Sequence, residues 1–189
     1  AAQVDILFRP PTVELFPKNY SINVYEDSYS GGLCGITRPH YFKGVCTYFT
    51  LLMNLIRPDS LILGRRDAQK CAVLKKLVRE MHFPVTVHVV ETVREESGLA
   101  YNARNTYLNE IQRRDAATLY KALLEGKKLA DTGITNVDRI LAEVTFHISQ
   151  VRRLRVIYVA AVDPETMTPI RPEIIRGETL IMTAIWCDE

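Results

Sequence analysis

The sequence has few of the residues that would tie it to an unusual environment. Its 189 residues include four cysteines and one tryptophan, and no apolar run approaches the ~20 residues needed to cross a bilayer. Cys34, Cys46, Cys71 and Cys187 are scattered and lack metal-ligand spacing, so we expect reduced thiols rather than a disulfide framework. These scarcities argue against a disulfide-rich secreted domain and a membrane protein. They predict a cytoplasmic protein, with an organellar matrix left open.

An excess of charge of either sign is also missing. The 24 Lys and Arg residues nearly balance 22 Asp and Glu residues, which leaves a formal net charge of +2. Composition therefore gives no strong reason to expect a nucleic-acid partner. Basic doublets such as Lys75-Lys76 and Arg113-Arg114 lack the interleaved aromatic residues of single-strand binders. We interpret them as solvated faces, with an RNA- or partner-binding surface as the weaker alternative.

Both ends of the sequence lie close to strand-like patterns. Residues 1–8 pass at once into an apolar segment without a start methionine or a basic signal segment, and a second apolar segment ends three residues before the carboxyl end. We therefore expect the chain to be part of a larger protein.

The first hundred residues alternate between strand-like and helical patterns. Val4–Phe8, Ser60–Leu63 and residues 84–91 are predicted to be buried strands, and Ser21–Glu26 a strand with one exposed face. Apolar stripes at helical spacing predict helices over residues 42–56 and 68–81, and Thr12 is expected to cap a single helical turn. This order is typical of βαβ units, so we predict one mainly parallel sheet flanked by two helices.

The pattern changes near residue 108. A helix is predicted from about Asn109 to Leu129, and a second follows Gly133. Two strands, over residues 155–162 and 179–186, then close the chain across a proline-rich link. Helices on an antiparallel pair of strands indicate a small α+β unit after the boundary.

One stretch, from Ser60 to Lys70, combines a strand, a charged turn and a helix start. Ligands of α/β sheets bind at the loops that leave the carboxyl ends of strands. Here Gly64 permits a sharp turn, Arg65 and Arg66 supply positive charge, and Asp67 stands at the expected helix start. The combination suits a phosphate or carboxylate. The alternative is a solvated charged loop that only caps a helix.

Three motifs together resemble the pantothenate synthetase family. They are Gly-Leu-Cys-Gly-Ile-Thr-Arg-Pro from Gly32, Leu-Gly-Arg-Arg-Asp-Ala-Gln-Lys from Leu63, and Thr-Val-Arg-Glu-Glu-Ser-Gly-Leu-Ala-Tyr-Asn-Ala-Arg-Asn from Thr92. The first lies in a glycine-rich loop, expected to be flexible, that lacks the P-loop pattern. The resemblance extends along the whole chain. It implies an enzyme that joins pantoate to β-alanine with ATP and Mg²⁺, through a pantoyl adenylate.

The resemblance also implies an architecture. Residues 1–107 would be the second half of a Rossmann-like nucleotidyltransferase domain with a parallel sheet, and 108–189 a small α+β lid or dimerisation domain. A segment with a His-x-Gly-His-like pair would precede residue 1. A homo-oligomer, or a subunit of a larger assembly, is expected. By the same resemblance the catalytic positions are Arg38, Arg66, Asp67 and Arg104, the cofactor-binding positions are Gly64, Arg66, Asp67 and Arg104, and no protein metal ligand is assigned.

Arg66 keeps the charge of the family's lysine, but four positions expected to contact substrate depart from the family pattern. Tyr41 stands where the family has histidine, Lys70 replaces an amide expected to contact pantoate, and Asn102-Ala103 replaces two serines. We interpret Tyr41 as a buried aromatic residue, with the neighbouring His40 as a less favoured source of the missing imidazole. Lys70 is expected to put a bulky charge into the pantoate pocket.

Losing one hydrogen bond to developing charge costs about 2.7–4 kcal/mol of barrier, so several such losses would leave little activity. Two hypotheses follow. The chain is part of a ligase and is inactive by itself, or it is a non-catalytic structural subunit of a larger, possibly ribonucleoprotein, assembly.

Overall fold

The structure, a computed structural model, describes residues 3–174 and 177–188, and these form two small sheets with helices packed on them. The strands are β1 (Ser60–Gly64), β2 (Thr86–Val90), β3 (Leu154–Val162) and β4 (Leu180–Cys187). The helices are α1 (Thr12–Leu15), α2 (Cys34–Thr37), α3 (Tyr41–Ile56), α4 (Ala68–Glu80), α5 (Glu110–Ala116), α6 (Thr118–Asp131) and α7 (Val137–Ser149). Short 3₁₀ turns lie at Arg65–Asp67 and Ala103–Tyr107.

The first sheet is the predicted parallel pair. β1 and β2 run side by side from Ser60 opposite Thr86 to Gly64 opposite Val90, with α4 as the connection between them. The apolar stripes of α3 and α4 meet β1 in one core, because helical spacing brings these residues to one face of each helix. The buried members of this core are Phe42, Cys46, Met53, Leu63, Cys71, Val73, Leu74 and Leu77.

Two predicted strands of the first hundred residues are absent. Residues 4–8 form no strand: Val4, Ile6 and Leu7 are 65%, 86% and 77% exposed, and no described residue pairs with them. Residues 21–26 are likewise not a strand: the backbone of Val24 bonds to the side chain of Thr47 on α3. An apolar pattern favours extended backbone, but a strand also needs a neighbouring strand to receive its hydrogen bonds.

The second sheet is the predicted antiparallel pair. β3 and β4 pair from Leu154 opposite Cys187 to Val162 opposite Leu180, and α6 and α7 pack on it. Gly126 allows the two helices to approach closely, because a Cβ there would lie 2.4 Å from the Val144 side chain.

The helix predicted from Asn109 to Leu129 is divided into α5 and α6 at Ala117. Asn109 starts α5 with a capping box shared with Gln112. Neither proline nor glycine lies at the junction, and nothing in its contacts explains the break. The expected cap of α1 is also wrong: the helix begins at Thr12 itself, so Pro11 occupies the cap position and no side-chain bond is made.

A small apolar cluster lies between the two sheets. Ala72 of α4, Val162 of β3 and Met167 are buried together, with Tyr29 and Leu33 packed against them. Residues from both sides of position 108 therefore share one cluster, and the division into units 1–107 and 108–189 stays a prediction. Within the described ranges, no helix combines the length and the apolar character needed to cross a membrane.

The first core gives a direct test of packing. Leu74 is fully buried in α4, whereas Leu55 of α3 is 58% exposed. We expect Leu74→Ala to lower the free energy of unfolding by about 2–5 kcal/mol, because truncation leaves a cavity, and Leu55→Ala to change it by about 0.5 kcal/mol or less. Urea unfolding followed by circular dichroism measures both. Equal effects of the two substitutions would contradict this assignment of the core.

Candidate functional site

A cavity of about 1030 Å³ opens between the carboxyl ends of β1 and β2 and the second sheet. Its polar wall includes Arg65 and Arg66 after β1, Glu91 and Thr92 after β2, and the Ala103–Tyr107 turn. The opposite wall is mostly apolar and comes from α6, β3 and β4; it includes Leu119, Tyr120, Leu123, Tyr158, Met182 and Ile185. The carboxyl end of a parallel sheet is where α/β proteins bind ligands, so this cavity is the candidate site.

Four arginines line the cavity, and they differ in their partners. Arg65 is paired with Glu91 at 3.0 Å. Arg94 donates to the Gly98 carbonyl at 3.1 Å and stacks on an aromatic ring. Arg66 bonds to its neighbour Asp67 at 3.3 Å. Arg104 is exposed, and its guanidinium has no hydrogen-bond or ion-pair partner among the described residues.

The turn after β1 holds Asp67 between two cations. Asp67 occupies the N-cap position of α4, as predicted, but its carboxylate makes no cap bond. It accepts instead from Lys70 at 2.7 Å and from Arg66 at 3.3 Å. Burial alone would raise the pKa of Asp67, but the bond from Lys70 and the charges of Lys70 and Arg66 outweigh burial and lower it. Asp67 therefore remains ionised and offsets part of the positive charge of this turn.

Lys70 lies on the first turn of α4. It is directed to Asp67, and it is not among the residues that line the cavity. The Asp67 carboxylate binds the ammonium group, and the place of Lys70 in the pantoate pocket stays a prediction.

Arg38 and Tyr41 form a unit of their own. The Arg38 guanidinium lies 4.0 Å above the Tyr41 ring, and that ring packs edge-on against Phe42 with centroids 5.0 Å apart. Neither Arg38 nor Tyr41 lines the cavity described above. The adjacent His40 is exposed and occupies the N-cap position of α3.

The Asn102–Asn105 segment has a structural role as well as a place at the cavity. The Asn102 side chain caps the 3₁₀ turn by accepting from the Arg104 amide at 3.2 Å. Asn105 is buried and donates to the Ala100 carbonyl at 2.9 Å. Asn102 and Arg104 both line the cavity, whereas Ala103 does not. Of the positions proposed from the sequence, the structure thus brings Arg66, Asn102 and Arg104 to one cavity.

A turn over residues 94–100 joins the first sheet to α5 and α6. Glu95 is paired with Arg113 of α5, with Nε of the arginine 3.2 Å from the carboxylate. The Arg94 guanidinium lies 3.8 Å from the centre of the Tyr120 ring on α6. Gly98 adopts a φ of +90°, and a Cβ there would meet Tyr120 at 2.8 Å. The turn therefore lies tightly against α6 and forms part of the cavity wall.

The glycine-rich loop, expected to be flexible, is held by a buried carboxylate. Glu26 accepts hydrogen bonds from the backbone amides of Ser28, Tyr29 and Ser30 at 2.8–2.9 Å and from Lys76 Nζ at 2.7 Å. Burial would raise the pKa of Glu26, but these bonds, led by the one from Lys76, lower it. Lys76 was expected on the outer face of its helix, but only 15% of its side chain is exposed.

The same loop is held a second time by Gln69 of α4. This side chain is 2% exposed. It donates to the carbonyls of Tyr29 and Gly32 at 3.0 and 2.8 Å and accepts from the Cys34 amide at 3.1 Å. Cys34 Sγ in turn lies 3.4 Å from Tyr158 Oη, and Tyr158 lines the cavity. Burial, and then the contact with Cys34, raise the pKa of Tyr158.

Sequence reasoning missed Glu26, Gln69, Lys76 and Tyr158. One signal was available for two of them, because Gln69 and Lys76 are seven positions apart on α4 and so lie on the same side of the helix as its apolar residues. A polar residue on an apolar face is expected to have a buried partner. The role of Tyr158 depends on a contact 124 residues distant in sequence, and no local pattern indicates it.

The four cysteines are all free, as expected. Within the parts of the chain that the structure describes, no group of three or more His, Cys, Asp or Glu side chains is arranged to hold a metal ion.

Comparison with known proteins identifies related sequences along the whole chain. The family model described as "Pantoate-beta-alanine ligase" matches residues 1–189. A pantothenate synthetase of Fervidobacterium nodosum is 39% identical over 186 residues, which are 97% of this chain and 64% of that protein. The chain thus spans slightly less than two thirds of the length of this relative.

Solved structures agree in fold. The crystal structure of pantothenate synthetase from Thermus thermophilus has a TM-score of 0.89 and 34% identity, and the match covers 98% of this chain and 69% of that one. A pantoate-beta-alanine ligase from Francisella tularensis, solved with β-γ ATP and β-alanine, has a TM-score of 0.64 and 20% identity over 92% of this chain and 61% of that one. The second likeness shows the fold alone. Together with the parallel β1–β2 pair, these structures confirm the predicted α/β, nucleotidyltransferase-like fold.

The buried carboxylate of the glycine-rich loop predicts a pH dependence of stability. Because the pKa of Glu26 is lowered from 4.5 on folding, its contribution is complete above that value and is lost as the pH falls through the folded-state pKa. We expect Glu26→Gln to reduce the free energy of unfolding by about 1–3 kcal/mol at neutral pH. The difference from the wild-type chain should shrink below about pH 4.

Urea unfolding at several pH values measures this difference. Glu14→Gln is the matched control, because Glu14 is exposed on α1, and it should alter stability little at any pH. A difference for Glu26→Gln that stays constant from neutral to acidic pH would contradict the role assigned to the ionised carboxylate.

Proposed function

The chain belongs to the pantoate-β-alanine ligase family, and on that premise we propose that its cavity is the anion-binding part of an ATP-dependent ligase site. One observation carries the proposal. Arg66, from the turn after β1, and Arg104, from the Ala103–Tyr107 turn, line the same cavity although they are far apart in sequence. Two guanidinium groups beside strand ends suit phosphate and carboxylate oxygens, which they can bind with paired hydrogen bonds.

The residues present fit a nucleotide. The cavity volume of about 1030 Å³ is at the upper end of the usual range for ligand pockets. Arg66 and Arg104 would hold the phosphates. Nothing within 4 Å would meet a Cβ at Gly64, so a ligand has room to approach the backbone there. ATP, when bound, would supply the adenylyl group that activates a carboxylate, and Mg²⁺ would be held chiefly by phosphate oxygens and water, as is usual for that ion.

The substrates proposed from the family are pantoate and β-alanine. Besides the phosphates, Arg104 is the cation best placed to receive the pantoate carboxylate, because its guanidinium has no partner among the described residues. The apolar wall, with Leu119, Leu123 and Ile185, would keep water from a reactive acyl adenylate. The catalytic roles of Arg38 and Asp67 stay proposals from the family resemblance, since neither residue lines the cavity. A homo-oligomer, or a larger assembly with this chain as a subunit, remains the proposed partner state.

The same residues support the proposal that the chain does not complete the reaction by itself. Lys70 and Arg66 share Asp67, which lowers the charge they can offer to a ligand. Tyr41 stacks beneath Arg38 and offers a phenol where the family pattern has an imidazole. Asn102 and Ala103 lack the hydroxyls of the family pattern. Catalysis depends on several donors fixed together around developing charge, so a partial set should fail.

We therefore predict nucleotide binding without turnover. Isothermal titration should show ATP with Mg²⁺ binding to the 189-residue chain, with an affinity that falls as NaCl rises from about 0.05 to about 0.5 M. Arg104→Ala should weaken binding by about 10- to 100-fold, since a hydrogen bond to a charged group contributes roughly 1.5–3 kcal/mol. Arg152→Ala removes an exposed arginine that does not line the cavity, and it should leave the affinity unchanged.

A coupled assay for AMP release with ATP, Mg²⁺, pantoate and β-alanine measures turnover of the same sample. A rate near the ~10 s⁻¹ typical of enzymes would overturn the proposed inactivity. Absence of ATP binding would overturn the anion-site proposal itself and would favour the non-catalytic subunit. Equal loss of affinity in Arg104→Ala and Arg152→Ala would show that general charge, rather than this cavity, attracts the nucleotide.

A further inference from the structure

The buried face of α4 carries two polar side chains that both bond to the segment before α2. Lys76 reaches this segment through Glu26, and Gln69 reaches it directly. The amide of Gln69 uses both N–H groups, toward Tyr29 and Gly32, and its oxygen accepts from Cys34. The Gln69 side chain is 2% exposed. Its three hydrogen bonds fix its orientation, and no other side chain offers the same two donors and one acceptor at this length.

Gln69 is connected to the cavity wall through one residue, Cys34. Cys34, whose amide donates to Gln69, begins α2 and places its thiol 3.4 Å from the hydroxyl of Tyr158. Tyr158 belongs to β3 and lines the cavity. Gln69 itself lies three positions after Arg66, at the start of the same helix. The buried side-chain amide of Gln69 therefore connects the turn that carries Arg66 with the part of the cavity wall formed by Tyr158.

We propose that Gln69 is a positioning residue of the cavity, which holds the Tyr29–Cys34 segment so that Cys34 stays against Tyr158. The effect of Gln69 on ligand binding depends on the proposed function. Its effect on the position of the Tyr29–Cys34 segment does not. Gln69 need not touch a ligand, because it acts through Cys34. The side-chain chemistry is specific. A leucine would leave two carbonyls and one amide without their partner, and an ionised glutamate would face the same two carbonyls without a proton to donate.

The four free thiols allow this role to be separated from a general contribution to stability. Cys34 reports on the held segment, Cys46 and Cys71 lie buried in the first core, and Cys187 lies on β4. Local release of the segment should expose Cys34 alone. Global unfolding should expose Cys46 and Cys71 as well, because both are buried by the packing of α3 and α4.

The experiment measures the rate at which each thiol of the native chain reacts with dithiodipyridine, with peptide mass spectrometry to identify the modified cysteine. For Gln69→Leu we expect Cys34 to react about tenfold faster than in the wild-type chain, since each hydrogen bond lost favours local opening. Cys46, Cys71 and Cys187 should keep their rates. An unchanged Cys34 rate, or an equal rise at Cys34, Cys46 and Cys71, would overturn the proposal.

Gln69→Glu tests the same idea without a change of side-chain size. A protonated carboxyl group has one O–H to donate, but a carboxylate has none. Burial and the two facing carbonyls should raise the pKa of the introduced glutamate, so the segment is held below that pKa and released above it. The Cys34 rate relative to wild type at the same pH should be high near pH ~8 and approach one near pH ~5. A ratio that does not depend on pH would contradict the role of the donated hydrogen bonds.

Nucleotide binding separates this proposal from the proposed function. If the wild-type chain binds ATP, Gln69→Leu should weaken binding although Arg66 and Arg104 are intact; unchanged affinity would confine Gln69 to the loop and overturn its role at the cavity. If the wild-type chain does not bind ATP, the proposed function fails, and the Cys34 rates alone decide whether Gln69 positions the segment.

Discussion

Hydrogen bonding from the buried face of α4 is the constraint on which the candidate site depends. The first turn of this helix follows Arg66 and Asp67, and its apolar residues belong to the first core. Its buried Gln69 and its half-buried Lys76 hold the loop before α2. Buried polar groups cost free energy unless they are paired, so these bonds specify one arrangement of the loop. Contacts of the single helix α4 therefore fix the positions of the loop, the Arg66 turn and the cavity wall relative to one another.

Much of the fold could be predicted because its elements have strong local patterns. The stripes of α3 and α4 and the βαβ order predicted the parallel pairing of β1 and β2, which the structure confirms. Residues 4–8 show the limit of such patterns. Their side chains suit a strand, but strand formation depends on a neighbour elsewhere in the chain. The break between α5 and α6 had no local signal at all.

The candidate site could be predicted only in part, for a related reason. Motif positions indicated Arg66, Asn102 and Arg104, and these share one cavity. Their roles with ATP and substrates stay predictions. The residues that hold the surroundings in place were missed, because their partners are distant: Gln69 bonds to Cys34 across 35 positions, and Cys34 contacts Tyr158 across 124. Local periodicity also predicted that Lys76 lies at the surface. A periodic pattern cannot show that a buried carboxylate distant in sequence, here Glu26, will pair with the lysine.

The small cluster of Ala72, Val162 and Met167 has a consequence for how the chain folds. The β1–α4–β2 unit and the α6–α7 pair are each closed by short connections, whereas this cluster joins segments about ninety residues apart. Contacts of high sequence separation carry a larger loop-closure cost and slow folding. We expect the two sheets to form before the cluster does, so that the cavity between them is assembled last. Pulsed hydrogen exchange would then show protection of the Met167 amide, which donates to the Asp163 carbonyl, after that of β1 and β3.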